Sequence, residues 1–146
     1  MRPRGVALVV RDKKILLVKM RAGGRAFYTL PGGGIEPGET PEEAAIRELS
    51  EECCVEGRIV RPLNTVHHKN GDTEYAFLVD IGNQDISLGG DPESEEQILT
   101  EACFKGLDEL SEKDRAFLWS YGLLDVDGFF EDVIAWGDDI SLPNEK

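Results

Sequence analysis

The residues that could do chemistry are concentrated between residues 32 and 57, which contain eight glutamates and a single basic residue, Arg47. Three of the glutamates, Glu48, Glu51 and Glu52, stand three and four residues apart, as neighbours on an α-helix do. Two carboxylates about 6 Å apart repel by nearly 3 kcal/mol at an effective dielectric constant of about 20, so such a cluster strains a marginally stable domain. Clustered oxygen ligands suit Mg²⁺ or Mn²⁺, and we therefore expect a divalent cation to offset the repulsion.

The glutamates are predicted to lie on a helix that begins at Pro41. Thr40-Pro41-Glu42-Glu43 supplies a capping hydroxyl, a proline at the first helical position and a glutamate that can reach back to the cap. A buried stripe is predicted at Ala45, Ile46, Leu49 and Cys53. The three glutamates occupy an arc beside it, so their carboxylates should converge at the edge of the core. Arg47 can pair with Glu43 and Glu51 at helical spacing, but one guanidinium cannot neutralise the whole group.

A glycine-rich segment, residues 30–34, precedes this helix. Leu30-Pro31-Gly32-Gly33-Gly34 is expected to end a strand and to turn sharply, which leaves either carbonyls to face an ion or amides to face a phosphate. We therefore consider Gly33 as a substrate contact. No Gly-Lys-Ser/Thr follows, which argues against a P-loop nucleotide triphosphatase.

The rest of the chain predicts several strands before and after the acidic helix. Asn70-Gly71 separates two β-rich runs and is the strongest hairpin signal in the sequence. The predicted strands are residues 5–12, 14–20, 26–30, 58–69 and 73–81, with a turn at residues 12–14 between the first two. Two further helices are predicted at about 111–121 and 128–136. This order indicates one α+β or mixed α/β domain spanning residues 1–146, with a loosely ordered tail from about residue 137.

Charge and composition exclude several classes of function. A net charge of −13 argues against direct binding to a nucleic-acid backbone, and it would repel a polyanionic small substrate unless cations lay between them. No apolar run reaches the roughly 18 residues that a membrane span needs. The three cysteines form neither an even disulfide framework nor a Cys-x-x-Cys pair, which favours a reducing compartment and hence the cytoplasm.

The glycine-to-helix segment resembles the Nudix box: Gly, five residues, Glu, seven residues, Arg-Glu, an aliphatic residue, any residue, Glu-Glu, any residue, Gly, an aliphatic residue. The matching positions are Gly33, Glu39, Arg47, Glu48, Leu49, Glu51, Glu52 and Val55. Cys54 stands where the family has glycine. That glycine is expected to end the helix with a positive φ, which would cost a cysteine about 1–2 kcal/mol, and Gly57 is an alternative cap one turn later.

The resemblance implies an α/β/α sandwich around a mixed β-sheet and an enzyme that hydrolyses a diphosphate bond in a nucleoside diphosphate linked to another group, X. It implies Mg²⁺ or Mn²⁺ as cofactor and a small nucleotide as substrate, of the nucleoside triphosphate or nucleotide-sugar type. By the same resemblance Glu51 and Glu52 bind metal, Glu48 is a ligand or the general base, and the Gly32 carbonyl is a further candidate ligand. Arg47 and Glu39 hold the glutamates in place.

Other candidates lie outside the box. Glu93, Glu95 and Glu96 form an acidic segment that is either an ordinary loop or, by the resemblance, the source of an additional carboxylate. Tyr28 is a candidate for stacking on a base, although an aromatic residue in a strand is more often part of the core. His67 and His68 are adjacent on a predicted strand and point to opposite faces, so they are not expected to share a metal.

Two other functions remain open at this stage. A non-catalytic nucleotide-binding regulatory module could use the same fold, although such a module would be expected to lose box glutamates. A purely structural or partner-binding α+β domain could also carry a solvated acidic helix. The first alternative predicts metal-dependent binding without product, and the second predicts no stabilisation by divalent ions.

Overall fold

The computed structural model describes residues 3–22, 24–69, 71–89, 97–111, 118 and 120–122. Within these ranges the chain forms strands, one α-helix and one 3₁₀ turn. The strands are β1 (Arg4–Leu8), β2 (Val10–Arg11), β3 (Lys14–Ala22), β4 (Arg25–Thr29), β5 (Gly32–Gly34), β6 (Arg58–His67), β7 (Thr73–Asp80) and β8 (Gln97–Lys105). Helix α1 spans Pro41–Cys53, and the 3₁₀ turn η1 spans Leu107–Glu109.

The strands form two four-stranded sheets. The first has the order β5-β1-β7-β6, in which β1 and β7 are parallel and the other neighbours are antiparallel. In the second sheet, β3 pairs antiparallel with β2, β4 and β8. Helix α1 lies against β1 and β5. This arrangement confirms the predicted α+β class with a mixed sheet.

The predicted strand at residues 5–12 is divided between the two sheets, which corrects the sequence-based boundaries. Its first part is β1 in the first sheet, and its last part is β2 in the second, with Val9 between them. The turn after β2 lies where it was predicted, and Asp12 and Lys13 both have positive φ, 53° and 63°. Residues 6–9 are all buried, because elements pack on both faces of this strand.

The three glycines do not simply end a strand, as the sequence predicted, because Gly32–Gly34 form β5 and pair with β1. A Cβ atom on Gly32 would lie 2.4 Å from Cγ1 of Val6, and one on Gly33 would lie 2.4 Å from Cδ of Glu48. Glycine is therefore required here because the strand lies closer to its neighbours than any side chain permits.

The predicted hairpin between β6 and β7 is confirmed, since the two strands are antiparallel and His67 pairs with Thr73. Of the predicted helix at residues 111–121, Leu118 and Ser120 are helical, while residues 112–117 and 119 lie outside the described residues. The predicted helix at 128–136, the tail from 137, and Glu93, Glu95 and Glu96 also lie outside them.

Two hydrophobic clusters cover the two faces of the first sheet. One contains Val6, Leu8 and Ala76 together with Leu118 and Tyr121. The other packs against α1 and contains Ala7, Val9, Ala45, Leu49, Phe77 and Val79. Alternate residues of β1 and β7 thus face opposite sides, as the pleat of a strand requires. Among the described residues, no helix has the length and apolar character that crossing a bilayer demands.

Candidate active site

Helix α1 begins as the sequence predicts. Thr40 Oγ1 accepts a hydrogen bond from the Glu43 amide at 3.1 Å, and Glu43 Oε1 accepts one from the Thr40 amide at 2.8 Å. The Glu43 carboxylate is therefore used by the cap, and the predicted pairing of Arg47 with Glu43 is wrong. Arg47 instead contacts carboxylates of the loop and of the next turn of the helix.

The end of α1 settles the question raised by the cysteine at the glycine position of the box. Cys54 is the C-cap, with φ 60° and ψ 38°, and its amide donates to the Ser50 carbonyl at 3.0 Å. The expectation of a positive φ is thus confirmed, and the alternative cap at Gly57 is wrong. Gly57 is needed for packing, because a Cβ there would lie 2.4 Å from Cγ1 of Val79.

Arg47 organises the carboxylates around it. Its Nε and Nη2 donate to the two carboxylate oxygens of Glu39 at 2.8 and 3.0 Å, a bidentate pair. Nη2 also donates to the Gly34 carbonyl at 3.0 Å. Nη1 donates to Glu48 at 2.8 Å and to Glu51 at 3.3 Å. These bonds, the one to Glu39 above all, raise the pKa of Arg47, so its charge is permanent.

Two of the three candidate metal ligands are buried together. Glu48 is 6% exposed and Glu52 is 3% exposed, and both lie on the inner side of α1. Glu52 Oε1 accepts a hydrogen bond from the Gly32 amide at 3.2 Å, which ties the helix to β5. Glu51 is exposed, and among the described residues its carboxylate is paired with the guanidinium of Arg47. Helical geometry explains the difference, because Glu51 is about 100° around the helix from Glu52.

Burial acts directly on the Glu48 carboxyl. Desolvation raises its pKa, the contacts with Arg47 oppose that rise, and the nearby charge of Glu51 adds to it. Glu48 and Glu52 are one turn apart on the same side of α1, and a hydrogen bond with Glu52 is among the contacts that oppose the rise in the Glu48 pKa. Two ionised carboxylates this close would be costly to bury, and a cation between them would remove that cost.

The donor set fits Mg²⁺ or Mn²⁺. Among the described residues, no three His, Cys, Asp or Glu side chains form a group arranged to hold a metal ion. Mg²⁺ does not require such a group, because it commonly keeps several waters and binds through one or two carboxylates together with substrate phosphates. Glu48 and Glu52 would supply the two carboxylates, and Gly32 lies beside them on β5.

Comparison with known proteins identifies the family. A family model described as a NUDIX domain matches residues 1–124. The chain belongs to the Nudix family. It is 30% identical over 95 residues to an ADP-ribose pyrophosphatase from Methanocaldococcus jannaschii, which covers 61% of this chain and 56% of that protein. It is 39% identical over 75 residues to a diphosphoinositol polyphosphate phosphohydrolase 3-alpha from Mus musculus, covering 49% and 44%. The chain thus spans about half the length of these two relatives.

A solved structure supports the same assignment. A MutT NUDIX hydrolase from Burkholderia pseudomallei is 28% identical, covers 75% of this chain and 86% of its own, and superposes with a TM-score of 0.60. In the present protein the Nudix box forms β5, the loop that carries Glu39, and α1. The charged box residues therefore lie on α1 or are bonded to it, and α1 packs against β1 and the edge strand β5.

Tyr28, the candidate for stacking on a base, lies on a different part of this Nudix fold. Its ring is partly buried and packs against the hydrophobic cluster that contains Leu30. The ammonium groups of Lys19 and Lys105 lie 5.6 and 5.3 Å from the ring centroid. A substrate role for Tyr28 and for Gly33 stays a prediction.

Sequence reasoning missed a third buried carboxylate among the described residues, Glu74, which is 8% exposed. It accepts hydrogen bonds from Arg4 Nε at 3.2 Å and from the Tyr121 hydroxyl, and it pairs with His68 Nε2 at 2.6 Å. A signal was available: in β7, Glu74 alternates with the buried Ala76 and therefore falls on a buried face of the Nudix sheet. His67, in contrast, contacts Thr73 at the exposed end of the hairpin.

Proposed function

We propose that this Nudix protein hydrolyses a diphosphate bond in a nucleoside diphosphate linked to another group, X, with Mg²⁺ or Mn²⁺ as cofactor. The observation that carries the proposal is the buried pair Glu48 and Glu52, two carboxylates one turn apart on α1 that lie against the side-chain-free strand β5. The substrate type we favour is a nucleoside triphosphate or a nucleotide sugar. The Methanocaldococcus jannaschii relative, named an ADP-ribose pyrophosphatase, supports chemistry at a diphosphate bond.

The residues of the site have different roles in the proposed reaction. Glu48 and Glu52 hold the cation, with Glu51 and the Gly32 carbonyl as further candidate ligands. A divalent cation, when bound there, neutralises phosphate charge and acidifies a coordinated water. Arg47 holds one oxygen of Glu48, and Glu39 holds Arg47 through two hydrogen bonds. The carboxylates are thus oriented before substrate arrives, which avoids reorganisation during the reaction.

Glu48 is our candidate for the general base. Its pKa is raised by burial, so the carboxylate is a stronger base than an exposed glutamate would be. Arg47 donates a hydrogen bond to its Oε1 and opposes the rise in its pKa. Because β5 has no side chains, a diphosphate can approach the carboxylates closely along this edge.

The test is hydrolysis of a panel of nucleoside triphosphates and nucleotide sugars with Mg²⁺, followed as released phosphate and nucleotide. Glu52→Gln keeps the shape of the side chain and removes its charge, and we expect kcat to fall about 10²- to 10³-fold because several kcal/mol of charge stabilisation are lost. Glu42→Gln is the matched control, since Glu42 is exposed on the first turn of the same helix. Equal kcat in Glu52→Gln and the wild type would refute the assigned role.

The same panel addresses the non-catalytic alternative. A regulatory module would bind a nucleotide in the presence of Mg²⁺ and release no product from any member of the panel. That outcome would overturn the proposed hydrolase activity. The predicted contribution of Glu93, Glu95 or Glu96 can be checked in parallel by replacing each with glutamine and comparing kcat.

A further inference from the structure

A second polar group lies outside the Nudix box, and we call it the Glu74 cluster: Arg4, His68, Glu74 and Tyr121. One oxygen of Glu74 accepts from Arg4 Nε, and the other is shared by His68 Nε2 and the Tyr121 hydroxyl. Burial and the hydrogen bond to Glu74 raise the pKa of Tyr121, so the phenol stays protonated and donates. Each oxygen of the carboxylate thus meets at least one donor, and Glu74 orients its three partners.

Two members of the cluster face outward. The side chain of Arg4 is 39% exposed and that of His68 is 36% exposed, whereas that of Glu74 is only 11% exposed. Within the described part of the chain, Nη1 and Nη2 of Arg4 have no hydrogen-bond partner. Glu74 holds the guanidinium by its Nε edge, so the two terminal N–H₂ groups remain as a fixed pair of donors.

The cluster lies across one strand from the box. Arg4 on β1 pairs with Gly34 on β5, and the Gly34 carbonyl accepts the hydrogen bond from Arg47. Gly5, the next residue of β1, faces α1, because a Cβ there would lie 2.5 Å from the Pro41 carbonyl. Side chains alternate along a strand, so Arg4 is on the opposite face. Arg4 therefore lies on the other face of the sheet from the box carboxylates, on the strand next to the edge strand β5.

Charge balance indicates what the Arg4 donors would bind. Glu74 already neutralises the guanidinium, which weakens its attraction for a further phosphate but leaves the N–H groups as hydrogen-bond donors. Two adjacent guanidinium donors match the O6 and N7 acceptors of guanine. Adenine presents an amino donor where guanine presents O6, so the same pair of donors cannot be satisfied by adenine.

We propose that Arg4, oriented by Glu74, determines base specificity and selects guanine over adenine in the nucleotide whose diphosphate lies at the box. This inference rests on the proposed function for the location of the diphosphate. It adds a recognition group on the far side of β5, built from residues 4, 68, 74 and 121.

The experiment compares kcat/KM for matched substrate pairs, GTP with ATP and GDP-glucose with ADP-glucose. We expect the wild type to prefer guanine about 10-fold or more, and Arg4→Met to abolish the preference because methionine has no donors. Arg58→Met is the control: Arg58 also pairs with an acidic residue of β7, Asp80, at 2.9 Å, but it is far more exposed. It should retain the preference.

A second variant and a binding measurement distinguish failure of the inference from failure of the proposed function. Arg4→Lys retains the charge without the planar fork, and it should also lose the preference. Binding of GDP and ADP with Mg²⁺ is measured by calorimetry for the same proteins. Hydrolysis without a base preference, or with one that survives in Arg4→Met, would overturn the inference and leave the proposed function intact. Guanine-selective binding that depends on Arg4, with no hydrolysis, would support the inference and overturn the proposed function.

Discussion

Two buried carboxylate groups lie on opposite faces of the first sheet, and they differ in their balance of donors and acceptors. At the box, four carboxylates lie within 4.0 Å of the single guanidinium of Arg47. At the Glu74 cluster, one carboxylate meets three donor groups. Among the described residues, carboxylates outnumber cations in the first group, whereas each oxygen of Glu74 meets a donor in the second.

The difference separates two uses of a buried acidic residue. A charge deficit inside a folded domain is costly unless a cation joins the group, so the box carboxylates are suited to bind metal. A satisfied carboxylate instead fixes the direction of its partners, so the outward-facing atoms of Arg4 and His68 become the functional surface. Burial alone would not distinguish the two, because Glu52 and Glu74 are both nearly inaccessible.

The largest effect on stability is expected when the guanidinium of the Nudix box is removed. Arg47→Met leaves Glu48 buried without its positive partner, and we expect the free energy of unfolding of the metal-free protein to fall by about 3 kcal/mol. Urea denaturation measures the change. Mg²⁺ should restore part of the loss, since a cation can replace the missing charge. A loss below about 1 kcal/mol would mean that the carboxylates are not short of positive charge.

The two carboxylate groups should also differ in how much Mg²⁺ stabilises the protein through them. Mg²⁺ at 100 times its dissociation constant should add about 2.7 kcal/mol to the unfolding free energy of the wild type. Glu48→Gln and Glu52→Gln should lose this gain, while Glu74→Gln should keep it, because only the box needs a cation. Thermal melts with and without Mg²⁺ provide the measurement. An equal loss in Glu74→Gln would show that the two groups are not independent.

A smaller effect on stability is expected at the Glu74 cluster. Tyr121→Phe removes one donor from Glu74, and a buried hydrogen bond to a charged group contributes about 1.5–3 kcal/mol. We expect a loss near the lower end, because Arg4 and His68 remain. Tyr75→Phe is the control. Tyr75 lies on β7, the strand that carries Glu74, and its side chain is only partly buried. The Mg²⁺ response should not change in either variant, and a change in Tyr121→Phe would contradict the separation of the two sites.

The smallest effect concerns an exposed carboxylate, Asp80, whose pKa is lowered by the amide of Gly82 and by Arg58. A lowered pKa adds stability above the ordinary value of about 3.9, and this stability is lost as the pH falls through the folded pKa. Asp80→Asn should therefore reduce the loss of stability below about pH 4 and change little at pH 7. Acid denaturation curves test this, and an unchanged slope would show that Asp80 does not contribute.

Much of the box was determined by the sequence alone, because its interactions are local. The capping box at Thr40 and Glu43 and the start of α1 at Pro41 involve residues three positions apart, so their spacing carries the information. The positive φ at Cys54 followed from its place in the motif. The hairpin between β6 and β7 followed from its turn residues. In each case the partners are neighbours in the chain.

Only the tertiary structure decided which carboxylates are buried and with what charge balance. Periodicity placed Glu48, Glu51 and Glu52 on one arc, but contact with β5 buried two of them and left Glu51 in solvent. The Glu74 cluster joins residues 47 and 70 positions apart, and no local pattern encodes that distance. Desolvation depends on which distant segments pack against a side chain, so the electrostatics of both groups belong to the fold rather than to the motif.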